Sequence, residues 1–212
     1  VRDAEAFYVA FPFAMDDFEM EVENAYSFLT PESGQMPESS KDWYLAQRFI
    51  RIWDKDMQVI WSPLEAPLVQ LGGIQTGRWL HDLELEKPII MSWPMNNYWW
   101  TNVPASQGGW NYRFAYSLTS DNHAASRREA FQFGWDHHMP AEAHFSQESQ
   151  KGYALSDALI DLSTDDVALT AFKKVEGESG LVMRLYEIAG KQQDFVVTWK
   201  GPKIITASIV DG

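Results

Sequence analysis

Phe18-Glu19-Met20-Glu21-Val22-Glu23 alternates apolar and acidic side chains without a break. A period of two marks an extended strand, because successive side chains leave a pleated backbone on opposite sides. The stretch predicts a β-strand with Phe18, Met20 and Val22 on a core and Glu19, Glu21 and Glu23 in water. The same period recurs along the chain. Met57, Val59 and Trp61 alternate with Gln58, Ile60 and Ser62. Tyr112, Phe114, Tyr116 and Leu118 alternate with Arg113, Ala115 and Ser117, and Leu181, Met183 and Leu185 with Val182, Arg184 and Tyr186. Further strands are expected at 6–12, 44–53, 67–71, 155–161, 166–174, 194–199 and 203–209.

Turn residues separate these runs. Thr30-Pro31-Glu32-Ser33-Gly34 through Ser39-Ser40 is a polar loop, and Gly72-Gly73, Gly108-Gly109, Glu178-Ser179-Gly180 and Lys200-Gly201-Pro202 punctuate the rest. One segment has a helical period instead. Asp121 or Asn122 is placed to cap a helix over 124–137, with Phe131 and Trp135 four apart on one face and Pro140 ending it. Gly134 weakens the expectation for its last turn. The sum is an all-β chain, an antiparallel β-sandwich with one short helix. Its main sandwich is expected over 1–148. The strands of 149–212, after the polar run 146–152, either complete that sandwich or form a small β unit.

Composition excludes several classes of function. The chain has 212 residues, with 17 Lys+Arg against 30 Asp+Glu, a formal net charge of −13. Nucleic acid and anionic membrane surfaces need basic partners, so neither is expected. No run of about 18 apolar residues offers a bilayer span. There is no cysteine, hence no disulfide framework and no thiolate chemistry, and the compartment stays open. The opening Val1-Arg2-Asp3-Ala4-Glu5 has neither a start Met nor a signal peptide and reads as the beginning of an excised piece.

Few residues offer catalytic chemistry. Asp136, His137, His138, Glu142 and His144 are the only dense set of metal-ligand types. Adjacent His137 and His138 point in different directions on a helix or a strand, and no His-Glu-x-x-His spacing exists. A helix end, where the dipole favours His, accounts for them better. Asp16-Asp17, Asp54/Asp56 and Asp165-Asp166 supply carboxylate pairs, but in turn-like positions where Asp serves the backbone. No phosphate loop and no Gly-x-Ser-x-Gly elbow appears. Arg48 and Arg51 stand in the apolar run 43–53, where a semi-buried guanidinium needs a carboxylate or a ligand; a structural ion pair is expected.

The stretch 88–110 is different. A strand-like Ile89–Met91 leads into Asn96, Asn97 and Asn102, interleaved with Trp93, Trp99, Trp100 and Trp110. Amides suit sugar hydroxyls and indole faces suit sugar C–H surfaces. In the alternative, the amides fix the loop backbone and the indoles fill a core.

An ordered set of motifs resembles the C-terminal β region of glycoside hydrolase family 38, the retaining α-mannosidases, and is closest to its bacterial branch. It comprises Ala10-Phe11-Pro12-Phe13, Lys41-Asp42-Trp43 with Gln47-Arg48, and Ser62-Pro63-Leu64-Glu65-Ala66-Pro67-Leu68 through Gly72-Gly73. It continues with Ser92-Trp93-Pro94-Met95-Asn96-Asn97-Tyr98-Trp99, Gln107-Gly108-Gly109, Phe133-Gly134-Trp135 and Gly180-Leu181 through Glu187. The resemblance implies a supersandwich of galactose-mutarotase type, attached to a separate catalytic barrel that holds zinc and an Asp nucleophile. None of the five His residues stands in a His-x-Asp metal motif, so neither ligands nor nucleophile carry over to this chain. No cofactor is expected in it and no catalytic residue. The expected partners are the parent's catalytic domain and, through the parent, an α-mannoside. Asn96, Asn97, Trp99, Trp100, Asn102 and Gln107 are the candidate substrate contacts. A free-standing carbohydrate-binding module and a structural docking sandwich are the other two functions to weigh.

Overall fold

The computed structural model describes residues 5–25, 27–75, 78–96, 111–122, 126–142, 145, 158–177 and 179–210. The chain divides into two compact units, Val1–Ala141 and Glu142–Gly212. Every paired strand among the described residues is antiparallel. The chain is an all-β protein with a single short helix among the described residues, as the period-two reading requires.

The first unit holds two sheets. Strands β1 (Ala6–Pro12), β8 (Ile89–Asn96), β7 (Leu68–Leu71) and β4 (Tyr44–Leu45) make the first, in that order. Strands β3 (Ser27–Leu29), β2 (Glu19–Asn24), β5 (Ile50–Trp53), β6 (Gln58–Pro63) and β9 (Tyr116–Asp121) make the second. The core lies between them. The second sheet contributes Met20, Val22, Ile50, Ile52, Val59 and Trp61; the first contributes Tyr44, Val69, Leu71 and Ile90. Phe11, Trp61 and Tyr116 pack ring on ring, with centroids 4.9 to 5.6 Å apart, and join the two sheets near one end.

The expected strand at 44–53 is two strands in two sheets. Between them the chain changes sheet, and the Glu23 carboxylate accepts the Arg48 backbone N–H at 2.9 Å where the ladder is interrupted. The expected strand at 112–118 instead begins at Tyr116, after the Glu65 carboxylate takes the Ala115 N–H at 2.7 Å. β3 is only three residues long and has no alternation to announce it.

Helix α1 (Arg127–His138) starts later than Asp121 or Asn122 suggest. Ser126 is its N-cap, and Ser126 and Glu129 exchange side chain-to-backbone bonds in a capping box. It stops where expected, with Met139 N–H on Trp135 C=O at 2.7 Å, just before Pro140. No helix among the described residues is long and apolar enough to cross a membrane.

The second unit is built of two ribbons. Strand β11 (Val167–Lys174) pairs with β12 (Leu181–Glu187), and β10 (Ile160–Leu162) with β13 (Val197–Trp199). Phe172 and Trp199, 5.8 Å apart, link the ribbons. The expected strand at 203–209 does not form. It pairs with no strand among the described residues, and strand propensity without a partner fixes nothing. Ile205 and Ile209 are left 95% and 99% exposed.

Candidate functional site

Strand β8 carries the chain up to the Asn/Trp-rich segment and is clamped on both faces. On the inner face the Ser92 hydroxyl donates to Ala66 C=O at 3.1 Å and lies 3.0 Å from the Tyr116 hydroxyl. Burial pushes the Tyr116 phenol up, with the Ser92 bond opposing. On the other face Trp93 lies flat on Trp43, centroids 4.1 Å apart and planes 18° off parallel. Tyr8 continues the row at 6.1 Å and 12°. The row thus draws on β1, β8 and the residue before β4; Asn96, the last residue of β8, pairs with Ala6. Asn97, Trp99, Trp100, Asn102 and Gln107 lie outside the described residues.

At the helix end, the two adjacent histidines take separate partners. His137 Nδ1 is 2.9 Å from Ser117 Oγ, and His138 Nδ1 is 2.9 Å from Gly134 C=O. The two rings stand edge to face at 5.4 Å. Burial holds the His137 imidazole below the usual range; His138 adds to this and Glu65 opposes it. His144 lies outside the described residues, and no group of three possible ligands occurs among those described.

Two of the carboxylate pairs have a member whose bonds are structural. Asp54 Oδ1 accepts from Asp56 N–H and Met57 N–H, both at 2.8 Å, and these bonds hold its carboxyl below the usual range. Asp166 accepts from Gln193 Nε2 at 2.8 Å and pairs with Lys191 at 3.4 Å.

The largest departure from the sequence reading is under α1. Glu21 and Glu23 do not face water; they are 5% and 1% exposed. The helix covers that face of the second sheet and brings its own counterion. Arg127 grips Glu21 through Nε and Nη2, the latter at 2.6 Å, and Arg51 meets the same carboxylate at 3.6 Å. Arg48 grips Glu23 through Nε at 3.0 Å and Nη2. The Arg48 guanidinium also lies over Trp135, 4.7 Å from its centroid, and over Phe131 at 5.2 Å. Both arginines are structural ion-pair partners, as their place in an apolar run suggests. The signal for the layer was present: three alternating Glu, two Arg in an apolar run, and two aromatics four apart on a helix.

Comparison with known families bears on the second unit. Residues 166–211 match the glycosyl hydrolases family 38 C-terminal beta sandwich domain. The family resembled by the sequence motifs is therefore the one matched. The family 38 segment covers β11, β12 and β13 and runs on through the unpaired 203–210. No curated protein matches the chain.

Proposed function

We propose that this chain is the non-catalytic β-sandwich part of an α-mannosidase-like glycoside hydrolase. In this reading it packs against the catalytic barrel of its parent and lends residues 97–110 to the rim of the substrate site. The family 38 match over 166–211 is the observation that carries the reading. One other supports it: motifs that resemble the same family run in order through the first unit. Zinc would be bound by the parent's barrel, where it would grip sugar hydroxyls.

The Trp43–Trp93–Tyr8 row gives the rim a mechanical rationale. Substrate contacts need a rigid base, because a small misplacement of a positioning group costs rate. Stacked rings on one face of β8 and the Ser92–Tyr116 contact on the other supply that base up to Asn96. From there Asn97, Asn102 and Gln107 would meet hydroxyls, and Trp99 or Trp100 a sugar face.

The test is kinetic. Asn97→Ala and Trp99→Ala in the parent enzyme are expected to lower kcat/KM for an aryl α-mannoside by about 1–3 kcal/mol each, at unchanged thermal midpoint. Unchanged kcat/KM in both variants would make 97–110 structural. Turnover by the isolated chain that survives a mock-purification control would overturn the non-catalytic assignment.

A further inference from the structure

The second unit contains a groove of about 520 Å³, lined by Val167, Leu185, Phe195, Glu187 and the segment 190–193. Its position is set by the end of the β11–β12 ribbon. After Glu187 the chain turns through Gly190, whose φ of +77° suits glycine, and runs back as 191–196 past the start of β11. The Glu187 carboxylate holds this turn by accepting from Ala189 N–H and from Gly190 N–H at 3.0 Å. Asp166 holds the returning segment through Gln193 and Lys191. Val167 is buried, and Leu185 and Phe195 are half-buried, so part of the wall is apolar and reachable.

The chemistry of the groove follows from which polar groups are already engaged. Glu187 accepts from the turn's N–H groups and keeps its negative charge, while the Lys191 charge is met by Asp166. No positive charge is left over to select an anion. A phosphate would meet one already paired ammonium and a carboxylate wall, on a chain of net charge −13. The uncommitted groups are neutral. The Gln192 amide is exposed and makes no side-chain hydrogen bond among the described residues, and Gln193 keeps its carbonyl oxygen beyond the bond its nitrogen donates. Neutral amides beside an aliphatic and aromatic wall suit a ligand with hydroxyls on its edge and C–H groups on its face.

We infer that this groove is a binding site for a neutral sugar or polyol ring. Phe195 and Leu185 take the C–H face, and Gln192 and Gln193 take hydroxyls. The groove is lined wholly by residues of the unit Glu142–Gly212. The inference rests on the groove alone and does not need the rim assignment.

Nitrogen–proton correlation spectra of the 212-residue chain, titrated with methyl α-mannoside, methyl α-glucoside and myo-inositol, decide it. The expected result is saturable shifts at Lys191, Gln192, Gln193 and Phe195 with at least one of the three, at a Kd on the order of 1–10 mM. Gln192→Ala, a surface change that leaves the fold intact, is expected to weaken that binding by about tenfold, while inorganic phosphate produces no saturable shift at these residues. Phe195→Ala is expected to abolish binding, with the Gln192 variant decisive if Phe195→Ala fails to fold. No saturable shift with any of the three ligands would overturn the inference, as would equal affinity in Gln192→Ala or displacement by phosphate. Either failure leaves the kinetic test of 97–110 untouched.

Discussion

The two faces of the second sheet are both buried, yet by opposite chemistry. One face presents Met20, Val22, Ile50, Ile52, Val59 and Trp61 to the sandwich core. The other presents Glu21, Glu23 and Arg51, joined by Arg48 and Arg127 under α1. The apolar face is held by area removed from water, is non-directional, and tolerates exchanges that keep volume. The ionic face is directional. Each carboxylate has a named cation, and losing one partner strands the other in a poorly solvated place. Alternation along a strand therefore reports which side chains share a face, not which face is wet.

The largest expected effect separates desolvation from attraction. Glu23→Leu alone leaves Arg48 buried without its carboxylate and should cost about 3–5 kcal/mol in urea unfolding. Adding Arg48→Met should recover more than half of that loss. About 1–2 kcal/mol should remain, because Glu23 also accepts the Arg48 backbone N–H, which the double variant orphans. A double variant as unstable as the single would mean the ion pair itself, not the stranded charge, stabilises this face.

A smaller effect tests how closely α1 sits on that face. A Cβ at Gly134 would lie 3.0 Å from the Phe49 ring and 3.1 Å from Arg48 Cβ. The glycine that weakens the helix in isolation is what lets it approach the sheet. Gly134→Ala, which raises intrinsic helix propensity, should nevertheless lower stability by about 1–3 kcal/mol. A thermal midpoint at or above wild type would show that the contact gives way freely.

The smallest effect is a pH dependence. Because the folded state holds the His137 imidazole below its ordinary value, the unfolded chain takes up that proton first as pH falls. The contribution is fully present above the unfolded value of about 6.5 and is lost as pH drops through the lower folded one. His137→Asn should flatten this part of the stability profile between about pH 7 and 5. An unchanged slope would assign the acid sensitivity to other groups.

The strands were legible where a local pattern sufficed. Glu19–Asn24, Gln58–Pro63 and Leu181–Glu187 form strands where the alternation calls for them. Errors arose where a distant partner decides. The change of sheet at 46–49 depends on Glu23, some 25 residues away, and 203–209 has strand composition but pairs with no strand among the described residues. The helix start was within reach, since Ser126-Arg127-Arg128-Glu129 is a capping-box sequence that outweighs Asp121 and Asn122. Burial of Glu21 and Glu23 was not legible from β2, because the cover comes from a helix that begins a hundred residues later. Of the candidate sugar contacts, Asn96 is the last residue of β8 and pairs with Ala6, and the others lie outside the described residues. In the other candidates the residue types alone name the chemistry.

Arg127 and Glu21 are 106 residues apart in sequence. Closing so long a loop costs chain entropy before the contact repays it, so the pair forms after the local strands and hairpins have assembled. An interaction made late is absent from the folding transition state. Arg127→Met should then leave the refolding rate nearly unchanged and appear as faster unfolding; slowed refolding would place the pair in the nucleus instead. The ion pair that looks like a detail of static packing would act as a brake on opening, setting how long the first unit stays closed once it has folded.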